Sequence, residues 1–288
     1  MSRAAASWLA GLVALAFAGA AAAEPPMWVV KDKDSELVLF GSIHVLPKTL
    51  NWIPPKLSQA LGQADDLWFE LPIDPASEAQ TAQLANLNGV LAPDESLLRM
   101  LGPTDAARLQ KLAAAYDVSP ALLDRLKPWL AEIALAAGAY KKAGADAASG
   151  VEQSLSALSP RARREAFETP AEQVGLLSGG PLEEQLASLR ETMGEMEDEP
   201  DEYAVLVKAW TAGDIAVLDR EALAPLRKQL PDLFRRMVSD RNARWTKALD
   251  ARLKGHGRTV VVVGVGHLLG PGGLPARLRA LGYSVTGP

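Results

Sequence analysis

Two histidines in this chain stand in the same local frame. Leu37-Val-Leu-Phe-Gly41-Ser-Ile-His44-Val-Leu and Thr259-Val-Val-Val-Val-Gly264-Val-Gly-His267-Leu-Leu each read as an apolar run, then Gly-x-x-His, then two aliphatic residues. The chain has three histidines in all, so two of the three share this pattern. A neutral imidazole is a general acid or base and a ligand for divalent metals. A single strand-end histidine is commonly just a hydrogen-bonded residue, and the repetition is what points to chemistry. Glu70 closes Asp66-Leu-Trp-Phe-Glu70 and falls at another strand end, where a carboxylate can act as a base or a ligand. A plain helix-capping carboxylate would carry the same pattern. Arg241, in Asp240-Arg-Asn-Ala-Arg-Trp245, could clamp a carboxylate or stabilise an oxyanion, or simply lie on the surface of a charged helix. Glu152 and Glu168 lie near helix starts, where acidic residues favour the helix dipole without any catalytic role. His256, between Gly255 and Gly257, reads as solvent-facing.

These residues need a sheet edge to meet on. Trp28–Val30 and Glu36–Phe40, separated by the polar Lys31–Ser35, predict a hairpin whose second arm leads to His44. A short helix from Pro54 and a strand at Asp66–Leu71 follow, making a βαβ-like unit at the amino-terminal end. Arg258–Val263 is the clearest strand, its unbroken apolar run fitting a central strand covered on both faces. The loop at Gly270–Gly273, a helix at Leu274–Leu281 and a strand at Gly282–Thr286 complete a second such unit. Glycine three residues before each histidine is expected to turn the chain sharply off its strand. Between the two ends, from about 75 to 256, apolar residues recur at helical spacing, with breaks at Gly102-Pro103, Ser119-Pro120, Ser159-Pro160, Ser178–Pro181 and Pro200. The expected fold is therefore α/β. A small mixed sheet is built from the two chain ends (about 27–74 and 257–288), with a large helical insertion between them, all within one domain over 24–288.

Composition narrows the function. With 288 residues, 48% of them hydrophobic, the chain can bury a sizeable core. A net charge of −5 leaves no footprint for nucleic acid. There is no cysteine, which excludes thiolate metal sites, cysteine nucleophiles, disulfides and a lipid-bearing cysteine. Residues 1–23 read as a signal peptide: Arg3, an apolar run from Trp8 to Phe17, and Ala21-Ala-Ala23 before a cleavage point at Ala23–Glu24. The mature chain is then periplasmic or secreted, with no stable membrane span. His-Glu-x-x-His, Gly-x-Ser-x-Gly, Walker and dinucleotide motifs are absent.

The ordered set Leu39–His44, Leu67–Glu70, Lys127-Pro-Trp129, Gly150-Val-Glu152, Phe167-Glu-Thr169 with Gln173, Arg241-Asn242 with Trp245, and Val263–Gly270 resembles the TraB/GumN (TraB/PrgY) family. That family is related to the TIKI metalloproteases and, more distantly, to the erythromycin-esterase/ChaN-like group. The resemblance covers Trp28 to Val285. Two departures are visible: Ser42 where the family often has Thr, and Glu152 where it tends to have Asp. The resemblance implies a site of His44, Glu70 and His267 holding a divalent ion (Zn²⁺, Mn²⁺ or Co²⁺) and a TIKI-like metallopeptidase acting on peptide or protein, with Arg241 as a candidate oxyanion stabiliser. The alternatives are a metal-independent, esterase-like hydrolase using His44 and Glu70, and a non-catalytic protein that binds a metal, haem or peptide.

Overall fold

A computed structural model describes residues 23–146 and 149–288. The signal peptide expected over 1–23 lies, apart from Ala23, outside the described residues. The strands are β1 (Met27–Lys31), β2 (Ser35–Ser42), β3 (Leu46–Pro47), β4 (Asp66–Phe69), β5 (Ala145–Asp146), β6 (Arg163–Ala166), β7 (Gly257–Gly264) and β8 (Ser284–Thr286). The helices are α1 (Pro55–Gln63), α2 (Pro75–Gly89), α3 (Leu97–Ala115), α4 (Pro120–Leu123), α5 (Pro128–Lys142), α6 (Val151–Leu158) and α7 (Pro170–Ser178). They continue with α8 (Leu182–Asp198), α9 (Glu202–Ala212), α10 (Ile215–Leu218), α11 (Ala224–Gln229), α12 (Pro231–Phe234), α13 (Asp240–Leu253) and α14 (Leu274–Ala280).

Six strands form one mixed sheet in the order β6-β4-β7-β2-β1-β8. β1 and β2 make the expected antiparallel hairpin, Trp28 opposite Leu39, and β8 pairs antiparallel with β1. β7 enters between β2 and β4 and runs parallel to both. Its Val260–Val263 run is completely buried, as a strand covered on both faces requires. The β2–β7 register pairs Gly41 with Val263 and Ser42 with Gly264, so the two Gly-x-x-His motifs leave the sheet side by side, one residue out of step.

The helical insertion is interrupted by a strand. β6 lies inside it and pairs parallel with β4 at the sheet edge, so the sheet is not made by the chain ends alone. Arg163-Arg-Glu-Ala carries no apolar alternation because, as an edge strand, it is mostly exposed and owes its conformation to β4's hydrogen-bonding edge. α6 opens at Val151, so Glu152 does stand at a helix start, and the two-stranded β3–β5 pairing joins the first sheet half to the insertion. The break at Gly102 is real: its φ of 78° splits α3 into two helical pieces. Helical structure runs without a break from Pro231 to Leu253, with a π-helical stretch at Arg235–Ser239 before α13. Leu97, Leu109, Leu123, Leu135, Leu189 and Met193 pack as a second apolar cluster within the helical block, which gives that block a core of its own. No helix of the described residues is long and apolar enough to cross a membrane.

The opposite end of the sheet is locked by one buried carboxylate. Asp66, at the start of β4, accepts from Thr259 Oγ1 at 2.7 Å, Arg163 Nη2 at 3.0 Å and Arg252 Nε at 3.1 Å. It thereby joins β7, β6 and α13 and fixes the strand register that the functional end depends on.

Candidate active site

The four parallel strands each deliver one ionisable residue to the same carboxyl-terminal edge. His44 lies two residues past β2, Glu70 one past β4, Glu168 two past β6, and His267 at the end of the 3-10 turn Val265–His267 that follows β7. Glu168 and Glu70 are brought together by the backbone ladder, which runs on past the strands with Phe167 N–H to Phe69 O and Glu168 N–H to Glu70 O, both at 3.0 Å. Arg241 comes from the first turn of α13.

Gly264 is the hub. A Cβ there would stand 3.2 Å from Glu70 Oε1, 3.8 Å from His44 Nε2 and 3.9 Å from His267 Cδ2, so no two of these atoms are more than about 8 Å apart. Neither Gly41 nor Gly264 has a positive φ. The expected sharp turn is therefore not their role. Gly264 leaves room for three side chains, and a Cβ on Gly41 would strike the Val265 side chain at 2.8 Å.

Buried beneath this hub is an ion-paired cluster. Arg241 donates from Nη2 to Glu70 Oε2 at 2.5 Å and to Glu168 Oε2 at 2.9 Å, and from Nε to Glu168 Oε1 at 2.9 Å. Glu168 also accepts from Arg244 Nη2 at 3.1 Å and Trp245 Nε1 at 3.2 Å. The guanidinium stacks over Trp245, its carbon 4.6 Å from the ring centre, and Trp245 packs on the His267 ring at 4.4 Å. Two carboxylates share one buried arginine. Removing that arginine would leave Glu70 without its cation and Glu168 with only the half-exposed Arg244, in a medium that penalises charge.

His267 has no free nitrogen. A guanidinium only donates, so the 3.0 Å contact from Arg241 Nη1 makes His267 Nε2 the acceptor. Nδ1 then carries the proton and donates to Asn242 Oδ1 at 2.7 Å. Asn242 is itself oriented by donating to His267 O and Gly272 O. Burial pushes the His267 pKa down to about 4, Glu70 pulls it back up and Arg241 adds to the fall, so the ring is neutral at ordinary pH.

Glu70 titrates the other way. Burial alone would raise its carboxyl. The cationic form of His267, the Arg241 guanidinium, His44 and the Gly264 N–H, which donates to Oε1 at 2.7 Å, outweigh that and lower it to about 2.

His44 is different in kind. Its side chain is 67% exposed, and Nδ1 sits 2.8 Å from Glu152 Oε1, which also accepts from Ser42 Oγ at 2.5 Å. The Glu152 carboxylate raises the imidazole pKa to about 9 against a smaller opposing effect of burial. Glu152 is shifted down: burial pushes it up, and the His44 charge and the hydrogen bonds from His44 and Ser42 more than compensate. Seen only as a helix-start carboxylate, Glu152 gave no sign of this pairing. Its place in Gly150-Val-Glu152 among the family-like motifs was the available signal. Glu168 and Asn242 were visible in the same way, within Phe167-Glu-Thr169 and Arg241-Asn242.

A cleft of about 510 Å³ opens over this edge. His44, Glu70, Glu152, Ile73, Ala82 and Gln173 are among its walls, whereas Arg241, Glu168 and His267 are not. His44, Glu70, His267 and Arg241, singled out from sequence, are thus brought to one place, with the last two behind Glu70 and away from solvent. His256 is exposed and remote from the cleft walls.

The three expected metal ligands do not form a ready metal centre in this fold. His267 Nε2 is engaged by Arg241, the Glu70 oxygens are held by the same guanidinium and by the Gly264 N–H, and of the three only His44 and Glu70 line the cleft. An ion held by all three would sit beside a permanent cation. Among the described residues, no group of three or more histidine, aspartate or glutamate side chains is arranged to hold a metal.

The TraB/PrgY/gumN family model matches residues 26–287. The uncharacterized protein YbaP of Escherichia coli (strain K12) is 25% identical over 243 residues, which cover 84% of this chain and 87% of YbaP; the YbaP of Shigella flexneri matches to the same extent. No solved structure gives a significant match.

Proposed function

The chain belongs to the TraB/PrgY/gumN family, and from that premise we propose that it is an exported hydrolase acting on peptide or protein, with His44 and Glu152 as its proton-transfer pair. The observation that carries this reading is the His44 ring. Its Nδ1 is fixed on Glu152 at 2.8 Å, its Nε2 and Glu70 Oε1 both lie within 4 Å of where a Cβ on Gly264 would stand, and His44 and Glu70 both line the cleft. A carboxylate on one imidazole nitrogen sets the tautomer and stabilises the imidazolium that forms when the other nitrogen takes a proton.

In this reading the neutral His44 removes a proton from water at Nε2. The water oxygen bonds to the substrate carbonyl carbon, and the imidazolium returns the proton to the leaving group as its bond to that carbon breaks. Glu70, ionised at all ordinary pH, accepts the water's second hydrogen and orients it. Arg241 lines no wall of the cleft, so its assigned part shifts from oxyanion stabiliser to positioning residue: it keeps Glu70 charged and in place. Leu71, Pro72 and Ile73 with the small side chains Ser77, Ala82 and Ala85 of α2 give an open, largely apolar cleft suited to an extended chain. The apolar run from Trp8 to Phe17, followed by Ala21-Ala-Ala23, supports export.

One observation favours a metal-dependent form of the same reading, a TIKI-like metallopeptidase. His267 is held neutral, its Nδ1–H on a carbonyl oxygen, which is the tautomer a metal-ligating Nε2 requires. Zn²⁺, Mn²⁺ or Co²⁺ would need Arg241 to release that nitrogen first.

The test is hydrolysis of a peptide library by the chain from Glu24 onward, across pH 6–10, with EDTA and separately with each ion, beside His44→Ala and Glu70→Gln. The expected result is cleavage that survives EDTA and falls by about 10²–10⁴-fold in His44→Ala. Cleavage that appears only with an added ion selects the metal-dependent form. Peptide binding without cleavage under every condition refutes both and leaves the binding-protein reading.

A further inference from the structure

The cleft over His44 is one-sided in charge. Among the described residues its wall carries three carboxylates, Glu70, Glu78 and Glu152, and no lysine or arginine. Two of the three are matched. Glu152 pairs with His44 at 2.8 Å, and Glu70 pairs with Arg241, which lies behind the wall, at 2.5 Å. Glu78 makes no ion pair among the described residues, and its Oε1 accepts from the side-chain amide of Gln153 at 2.7 Å.

Two helices fix the place of Glu78. α6 buries Val151 and Leu155, four residues apart on one face, while Glu152 and Gln153 between them line the cleft. These two neighbours reach in different directions: Glu152 holds His44, and Gln153 holds Glu78. The unmatched carboxylate is thus tied to the proton-transfer pair through adjacent residues of one helix. α2 supplies Glu78 from its first turn, where an acidic residue favours the helix dipole without any further role. Asp74 already caps that turn, accepting from the Ala76 and Ser77 N–H groups at 3.0 Å each. Capping therefore does not account for a second carboxylate held on the cleft wall.

The chemistry of a fitting side chain follows. An acidic group would find no cation on the wall that is not already paired. An ammonium or guanidinium would find one carboxylate without a counter-charge, and its methylene stem could lie along Ile73, Ala82 and Ala85 of the same wall. Gln173, half-buried, has no hydrogen-bond partner among the described residues and adds an amide oxygen as a further acceptor on the wall.

We propose that Glu78 determines specificity in this cleft by taking the ammonium or guanidinium of a lysine or arginine in the peptide. This names the substrate class of the site, and it rests on the reading of the cleft as the place where peptide is hydrolysed.

The experiment is isothermal titration calorimetry at low ionic strength and about pH 6, where His44 keeps its proton and Glu152 its partner. The probes are acetylated and amidated alanine hexapeptides with lysine at each position in turn, each beside its neutral norleucine counterpart. At one position or more, lysine should bind about two- to fivefold more tightly than norleucine, the strength of an ion pair open to solvent. The ratio should fall to about one in Glu78→Gln, reverse in Glu78→Lys and shrink as salt is added. Melting temperatures check that both variants fold, Glu78 being exposed. Equal affinity for lysine and norleucine at every position, absence of binding included, overturns the proposal. So does a lysine preference that Glu78→Gln leaves intact. Cleavage is read apart, at about pH 9, where the neutral His44 ring is populated. Lysine preference without cleavage keeps Glu78 as a binding determinant and refutes the hydrolase reading, and cleavage without lysine preference does the reverse.

Discussion

Arg241 donates to His267 Nε2 across 3.0 Å while the same guanidinium binds both Glu70 and Glu168. This contact makes His267 a neutral structural partner of the reactive edge and sets Arg241 under the site as its keystone. It predicts a large stability effect. Arg241→Met should destabilise the fold by about 3–5 kcal/mol, because buried Glu70 loses its cation and buried Glu168 keeps only the half-exposed Arg244. Urea unfolding measures it. A loss below about 1 kcal/mol would mean that the cluster is solvated or that the carboxylates take up protons cheaply.

The Glu152–His44 pair predicts a pH limb. With a pKa raised to about 9, only about one hundredth of His44 is neutral at pH 7, so a rate that needs the neutral ring climbs toward pH 9. Glu152→Gln removes the main cause of the shift and should move the limb toward 6.5. The titration of His44 by NMR, simple in a chain with three histidines, should move with it. A His44 that titrates near 6.5 in the wild type would sink the assignment.

The same pair has a stability consequence of definite sign. A histidine whose folded pKa is raised contributes stability below its unfolded value of 6.5, and that contribution is lost as pH rises through about 9. The wild type should therefore lose stability between pH 6.5 and 9 relative to Glu152→Gln. Because His44 is largely exposed, the effect is small and falls further with salt. Parallel thermal melts of the two proteins at each pH decide it.

On the acid side two groups act in sequence. His267, lowered to about 4, refuses a proton that the unfolded chain accepts below 6.5, so stability falls as pH drops from 6.5 to 4. Glu70, lowered to about 2, adds a second loss from 4.5 downward. His267→Gln should remove the first loss and shrink the second, because the His267 charge is among the groups that lower Glu70. An unchanged acid limb in that variant would show that other groups dominate.

Gly264→Ala tests the hub. The backbone at Gly264, φ −48° and ψ 132°, accepts alanine without strain, so the substitution is read by space alone. The added methyl would stand 3.2 Å from Glu70 Oε1 and 3.8 Å from His44 Nε2. Activity should drop at least about tenfold while stability changes by less than about 1–2 kcal/mol, since misplacing reacting groups by a fraction of an ångström is costly. Full activity in the variant would place the reacting water elsewhere.

Much of the frame was legible in the residue order. Unbroken apolar runs at Leu37–Phe40 and Val260–Val263 can only be buried strands, and a histidine three residues past each glycine must then emerge at a strand end. The α/β class and the hairpin follow from such local patterns, and the repeated Gly-x-x-His frame pointed to the meeting of the two motifs that β2–β7 pairing brings about. What only the tertiary structure decided are the partners. Glu152 lies 108 residues from His44 and Glu168 lies 73 from Arg241, and no local periodicity encodes a contact across such distances. β6 shows why: Arg163-Arg-Glu-Ala is polar, and it becomes a strand only because β4 offers an unpaired hydrogen-bonding edge, which is how Glu168 reaches Glu70. The residue order determined which groups could react. Their protonation states, with His44 raised and His267 and Glu70 lowered, were decided by burial and by neighbouring charge, which exist only once the chain is folded.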